Sequence, residues 1–332
     1  MTTASDVSAI PKEGDPAPIA RLFAWCMLAV LAAFCINNVL IIGWGVPSLR
    51  DVFAGNAGAS GIIPAASYVI CLVVAAGYVL GTATRAMRWD AMLIHRFNCY
   101  IIRACFWTVL LVGVTDAFIA VMRVESLFDG LLSEQVVKDM GRVQFVAPNI
   151  HIPLVIVALV VALFTRTLGF HWLALMIVAA ELAIVISRFG FSYEQALMGD
   201  LVRYWYAALF LFASAFTLFE DGHVRVDVLY AGFGPTKRGF VNAWGTILLG
   251  MSTAWVIIYI GFNGKQSIIN SPVVNFEITQ SGATGMFIKY QMAAFLGIFA
   301  ITMLIQFVSY FLESVADWRD QPGHREVTPT GH

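Results

Sequence analysis

Apolar residues along this chain come in long unbroken runs rather than in alternation. Eight runs stand out, at about 22–45, 60–82, 101–122, 150–168, 171–188, 201–219, 239–262 and 287–313. Each is close to the roughly 20 residues that a helix needs to cross about 30 Å of hydrocarbon. Backbone polar groups in lipid must be satisfied within their own segment, so the pattern predicts an all-α integral membrane protein with about eight transmembrane helices. The even number returns both termini to one side. Three connections stand out. Val46 to Ser60, with Pro47, Gly55 and Gly58, predicts a flexible link. In the stretch 123–149, Leu127, Leu131, Leu132, Val136 and Met140 recur at helical spacing among charged residues, which predicts an amphipathic surface helix. Residues 263–285, with Pro272 and Gly282, predict irregular chain.

Composition sharpens the class. The chain is 59% apolar and only 12% charged, with a mean hydropathy of +0.79, which excludes a soluble domain. A net charge of -1 and the absence of any long basic run exclude a nucleic-acid surface. The five cysteines (Cys26, Cys35, Cys71, Cys99, Cys105) include no C-x-x-C pair and predict packing residues rather than a disulfide frame or a metal site. The N-terminal stretch carries Asp6, Glu13 and Asp15 beside one Lys, and the run from Leu22 is too long for a signal-peptide core, so no cleavage is expected. Arg85, Arg88 and Arg96 crowd the connection after the second run, which places that connection, and with it both termini, in the cytoplasm.

A polar hinge, Phe219 to Tyr230, separates the sixth and seventh runs. Taken with Arg188-Phe189, Asp200-Leu201-Val202-Arg203-Tyr204 and His223-Val224-Arg225-Val226-Asp227, it resembles the small membrane subunit (DctQ-type) of tripartite ATP-independent periplasmic (TRAP) transporters. The spacing between the acidic-Leu-x-Arg-Tyr run and the His-Val-x-Val-Asp run is the specific part. Where that family often has a Pro about four residues after a Lys in its last span, this chain has Ala293 and Ala294 after Lys289. The resemblance covers roughly residues 169–320. It implies a four-span small-permease domain there, preceded by a four-span extension (22–168) and flanked by cytoplasmic tails (1–21 and 321–332). It further implies a large permease partner (DctM-type) that carries the transport path, a periplasmic solute-binding protein (DctP-type), and ion-coupled uptake of an organic acid or similar solute. The location implied is the bacterial inner membrane, in contact with its lipid, with no enzymatic activity and no cofactor. Asp200, Arg203, Tyr204, His223, Arg225 and Asp227 are the subunit-contact candidates that follow.

The residues also carry readings of their own. If 223–227 is helical, His223 and Asp227 share a face; if extended, His223, Arg225 and Asp227 do. No nucleophile accompanies them, so a structural or subunit-contact turn is expected. Asp200 suits the positive end of the sixth helix, and Arg203 can snorkel to the headgroups. Asp116 and Glu181 fall at lipid depth, where each would cost about 2.5–3.5 kcal/mol facing lipid, so each is expected to face a helix, water or a partner. No basic residue lies at matching depth, and a hydrogen bond between helices is expected ahead of ion coupling. The histidines raise an alternative, a haem-bearing membrane anchor of a respiratory enzyme. His151 and His171 open antiparallel spans and so lie on opposite faces about 30 Å apart, but His95 with His171 remains open. No internal repeat joins the two halves, and removing the first four spans is expected to leave the orientation of the rest unchanged.

Overall fold

The computed structural model describes residues 11–56, 58–166, 170–219, 230, 232–279 and 282–324, and these contain helices and turns but no strand. Eight helices are long and apolar enough to cross a membrane. They are α1 (Pro18–Trp44), α2 (Gly58–Gly81), α3 (Met87–Val124), α4 (Val143–Phe164), α5 (Phe170–Phe191), α6 (Ala196–Phe219), α7 (Pro235–Gly261) and α8 (Lys289–Trp318). Pro18 and Pro235 stand at helix starts, where the missing N–H is no loss. Gly45, at φ 67°, ends α1 in the left-handed conformation, and the following Val46 amide returns to the Leu40 carbonyl. Helix α8 runs unbroken from Lys289, as the alanines in place of a proline permit.

Two connections differ from expectation. Of the predicted amphipathic helix in 123–149 only Glu134–Met140 forms, because Ser126 and Gly130 take positive φ and turn the chain before it; Leu127, Leu131 and Leu132 fall outside. The link at 46–60 contains a short helix, Leu49–Phe53, held by a reciprocal Ser48–Asp51 capping box. Those hydrogen bonds from Ser48 hold the half-buried Asp51 carboxyl below its ordinary value.

The chain forms two compact units, each drawing on both the first four and the last four helices. One comprises the described parts of Met1–Asn98, Phe216–Lys265 and Met303–His332. Helix α3 begins here at Met87, well before the predicted 101, because its first turns are polar and packed against protein rather than lipid: Asp90, His95 and Asn98 are all buried. Asp90 accepts from Arg21 Nε at 2.8 Å, Trp25 Nε1 at 3.0 Å and Tyr78 Oη at 3.1 Å. Arg88 reaches Asp317 at 2.7 Å and the Gln321 and Pro322 carbonyls at 2.9 and 3.0 Å. Arg319 and Gln321 donate to the Pro16 and Asp15 carbonyls, so the segments leading into α1 and out of α8 lie together at one end.

Helices α7 and α8 touch at Gly239, where an added Cβ would meet the Ser314 carbonyl oxygen at 2.7 Å and Asp317 C at 2.9 Å. These are backbone atoms and cannot swing aside. Gly239→Ala is therefore expected to lower stability by about 1–3 kcal/mol. Gly245→Ala in the same helix, with open space around it, is expected to be neutral or to gain up to about 1 kcal/mol of helix propensity. Thermal unfolding of the two variants in detergent, read by loss of monodispersity, checks the contrast.

The second unit comprises Cys99–Ala215 and Gln266–Thr302. An aromatic core runs through it: Phe106 meets Phe170 and Phe212 edge-on, and Phe295 packs against Phe212 and Tyr204. Gly113 lets Trp205 lie against α3, where its Nε1 donates to the Val109 carbonyl at 3.2 Å.

Candidate functional site

The second unit closes around a buried polar cluster built from four helices and one loop. Asp116, on α3, is 1% exposed. Facing it is His151, also 1% exposed, which closes a π turn (Ala147–His151) within α4. That turn has a local cause. Pro153 has no N–H to return to residue 149, which interrupts the regular ladder, and the Ile152 amide instead bonds the Ala147 carbonyl five residues back. Tyr290 and Gln291 open α8, and Tyr204 comes from α6.

The hydrogen bonds define the protonation pattern. His151 Nε2 lies 3.2 Å from Asp116 Oδ1, and its Nδ1 lies 2.8 Å from Tyr290 Oη and 3.2 Å from Gln291 Nε2. The Gln291 amide also donates to Tyr290 Oη at 3.0 Å, and its oxygen accepts from the Tyr204 hydroxyl. Gln291 Nε2 can only donate, so Nδ1 accepts and the ring carries its proton on Nε2, directed at Asp116. Asp116 Oδ2 accepts from the Phe287 amide at 2.6 Å. The preceding amide, Met286, donates to Asp200 Oδ2 at 3.1 Å, so two successive backbone N–H groups each serve a carboxylate. Arg123, two turns along α3 from Asp116, holds this loop: it donates to the Gly285 carbonyl at 2.5 Å and stacks over the Phe287 ring at 4.3 Å.

Among the described residues the cluster's donors and acceptors are matched to one another, so its chemistry is that of an interhelical lock. It joins residues on both sides of position 168: Asp116 and His151 precede it, and Tyr204, Phe287, Tyr290 and Gln291 follow it. Removing the first four spans would take Asp116 from the Phe287 amide and His151 from Tyr290 and Gln291, whatever the orientation of the remaining helices.

Asp200 and Tyr204, one turn apart on α6, both turn inward, while Arg203 between them is exposed. His223, Arg225 and Asp227 lie outside the described residues. Asp116 finds the expected hydrogen bonds between helices, and the expectation of no basic partner is corrected by His151, which the π turn brings to its depth. For Glu181 the expected hydrogen bond between helices is not found among the described residues, which leaves water or a partner as what it faces. It is exposed, and among the described residues no hydrogen bond, ion pair or covering element is found for it. Its helix, α5, has 11% of its apolar window buried, against 17–50% for the other seven. His151, Tyr290, Gln291 and Arg123 were not legible as site residues. The prolines at 148 and 153 flanking His151 are the one local signal of an irregular turn.

Comparison with protein-family models, curated proteins and solved structures returns no match.

Two of the histidines considered for haem are engaged within the protein, and His171 is exposed on α5. His95 stacks on Phe219 with centroids 3.3 Å apart and meets Gln306 Oε1 at 2.9 Å, and both ring nitrogens of His151 are bonded. Among the described residues no three His, Cys, Asp or Glu side chains gather as metal ligands.

Proposed function

We propose that this chain is the small membrane subunit of a TRAP-type secondary transporter in a bacterial inner membrane. It would support a large permease in ion-coupled uptake of an organic acid or similar solute delivered by a periplasmic binding protein. The observation that carries the reading is α5: a membrane-length helix with a mid-span carboxylate that its own chain leaves uncovered belongs against another membrane protein. Two further features support it. The polar side chains Asp116, His151, Tyr204 and Gln291 bond to one another inside the bundle, as suits a scaffold. The motif residues divide their work, with Asp200 and Tyr204 turned inward and Arg203 outward. The basic connection at Arg85 to Arg96 favours the end where α1 begins and α8 ends as the cytoplasmic one.

The test is co-expression with a large permease and a solute-binding protein of TRAP type from the same genome. A tagged chain is expected to bring down the large permease in mild detergent, and organic-acid uptake into cells is expected to need all three proteins. Purification of a monodisperse chain without the permease, with uptake unchanged when this chain is deleted, overturns the reading.

A further inference from the structure

Glu181 stands ten residues before the end of α5, about 15 Å along the helix, and Arg203 stands seven residues into α6, about 10 Å along it. Only four residues join the two helices, so both distances are counted from the same end. Each side chain is exposed, and among the described residues neither makes an ion pair or hydrogen bond. Around Glu181 the surface is apolar: Val178 and Val185, three before and four after, share its face, and Leu182 adjoins it, each 49–63% exposed. The same unit shows what this chain does with an intramembrane carboxylate it means to keep to itself. Asp116 is sealed and given an imidazole and an amide. Glu181 is given nothing.

We infer that the α5 face centred on Glu181 is the docking seam for a transmembrane helix of a different polypeptide, one that presents a basic or hydrogen-bond-donating side chain at the depth of Glu181. This rests on the proposed function and names the surface and the chemistry of its partner contact. A carboxylate inside hydrocarbon needs a donor, and lipid tails supply none. A second copy of this chain is the poorer occupant: packing α5 on α5 about a two-fold axis opposes Glu181 to Glu181, a pair of like charges in a medium that screens them little. A heterologous helix can offer a donor to Glu181, which sets its register at that depth.

The experiment uses the full chain co-expressed with the large permease, with a photo-cross-linking amino acid placed at Val178, Val185 or, as a control, at the equally exposed Ile156 on α4. Adducts with the large permease are expected from 178 and 185 and not from 156. Glu181→Lys is expected to reduce them at least tenfold, and Glu181→Gln, which still hydrogen-bonds, to retain most of them. Where Glu181→Lys does not insert, Glu181→Leu is read instead, with the same loss expected. An acidic residue placed at the partner position identified in the adduct is expected to restore cross-linking to Glu181→Lys. Co-purification of the permease with adducts only from 156, or adducts only between two copies of this chain, overturns the docking face while leaving the subunit assignment intact. Failure of the permease to co-purify at all removes both.

Discussion

His151→Leu is expected to be among the most damaging single substitutions in this chain. It removes the imidazole that faces Asp116 at 3.2 Å and leaves a carboxylate that is 1% exposed with one amide donor in place of two partners. Breaking a buried pair from one side costs about 3–5 kcal/mol, because the surviving group keeps its desolvation and loses its compensation. Tyr290 and Gln291 lose their acceptor at the same stroke, which loosens the start of α8. The double variant Asp116→Leu/His151→Leu removes the stranded charge together with its partner and is expected to be more stable than His151→Leu alone, a coupling that a double-mutant cycle isolates. Unfolding midpoints of the four proteins in one detergent give the answer. A His151→Leu protein within about 0.5 kcal/mol of the parent would mean that the carboxylate does not depend on the imidazole, well short of the buried-pair cost.

Arg21→Met is expected to cost a comparable amount, about 3–5 kcal/mol, because it too strands a buried carboxylate. Arg21 is fully buried, and its guanidinium does three jobs: Nε donates to Asp90 at 2.8 Å, Nη1 to the Thr82 carbonyl and Nη2 to Thr82 Oγ1 at 2.8 Å. It thereby ties the start of α1, the end of α2 and the start of α3. Methionine fills the volume but leaves Asp90 with only Trp25 and Tyr78 as donors. Arg21→Lys keeps the charge, yet a point ammonium cannot reproduce the planar fork that meets a carboxylate, a carbonyl and a hydroxyl together, so an intermediate loss is expected. Detergent-extracted yield and unfolding midpoint of both variants measure this. Equal stability of Arg21→Met and Arg21→Lys would show that the charge on Arg21 contributes nothing.

Both sites show why their residues were hard to recognise in the sequence. Arg21 sits one residue before the first apolar run, and nothing around it in the sequence marks it as a buried group. His151 sits at the start of the fourth run and suggested a haem ligand. In the structure each is a buried partner for a carboxylate far away in the chain, 69 residues for Arg21 and 35 for His151. Asp200 and Tyr204 were marked for subunit contact, and their side chains instead hold the loop before α8 and the first turn of that helix.

The sequence by itself determined the class and the inventory of spans. A run of about 20 apolar residues must satisfy its own backbone, which makes each span a local property, and all eight appear where the runs lie. The ends were less well defined where polarity is buried in protein, as in α3, whose first turns carry Asp90, His95 and Asn98 into a packed interior and not into water. Only the tertiary structure decided which polar groups meet. A helix that is apolar on every side does not specify its own rotation about its axis, so the sequence of α5 carries Glu181 without saying what covers it. Packing of the neighbouring helices settles that question: it turns Asp116 toward His151 and leaves Glu181 on the outside.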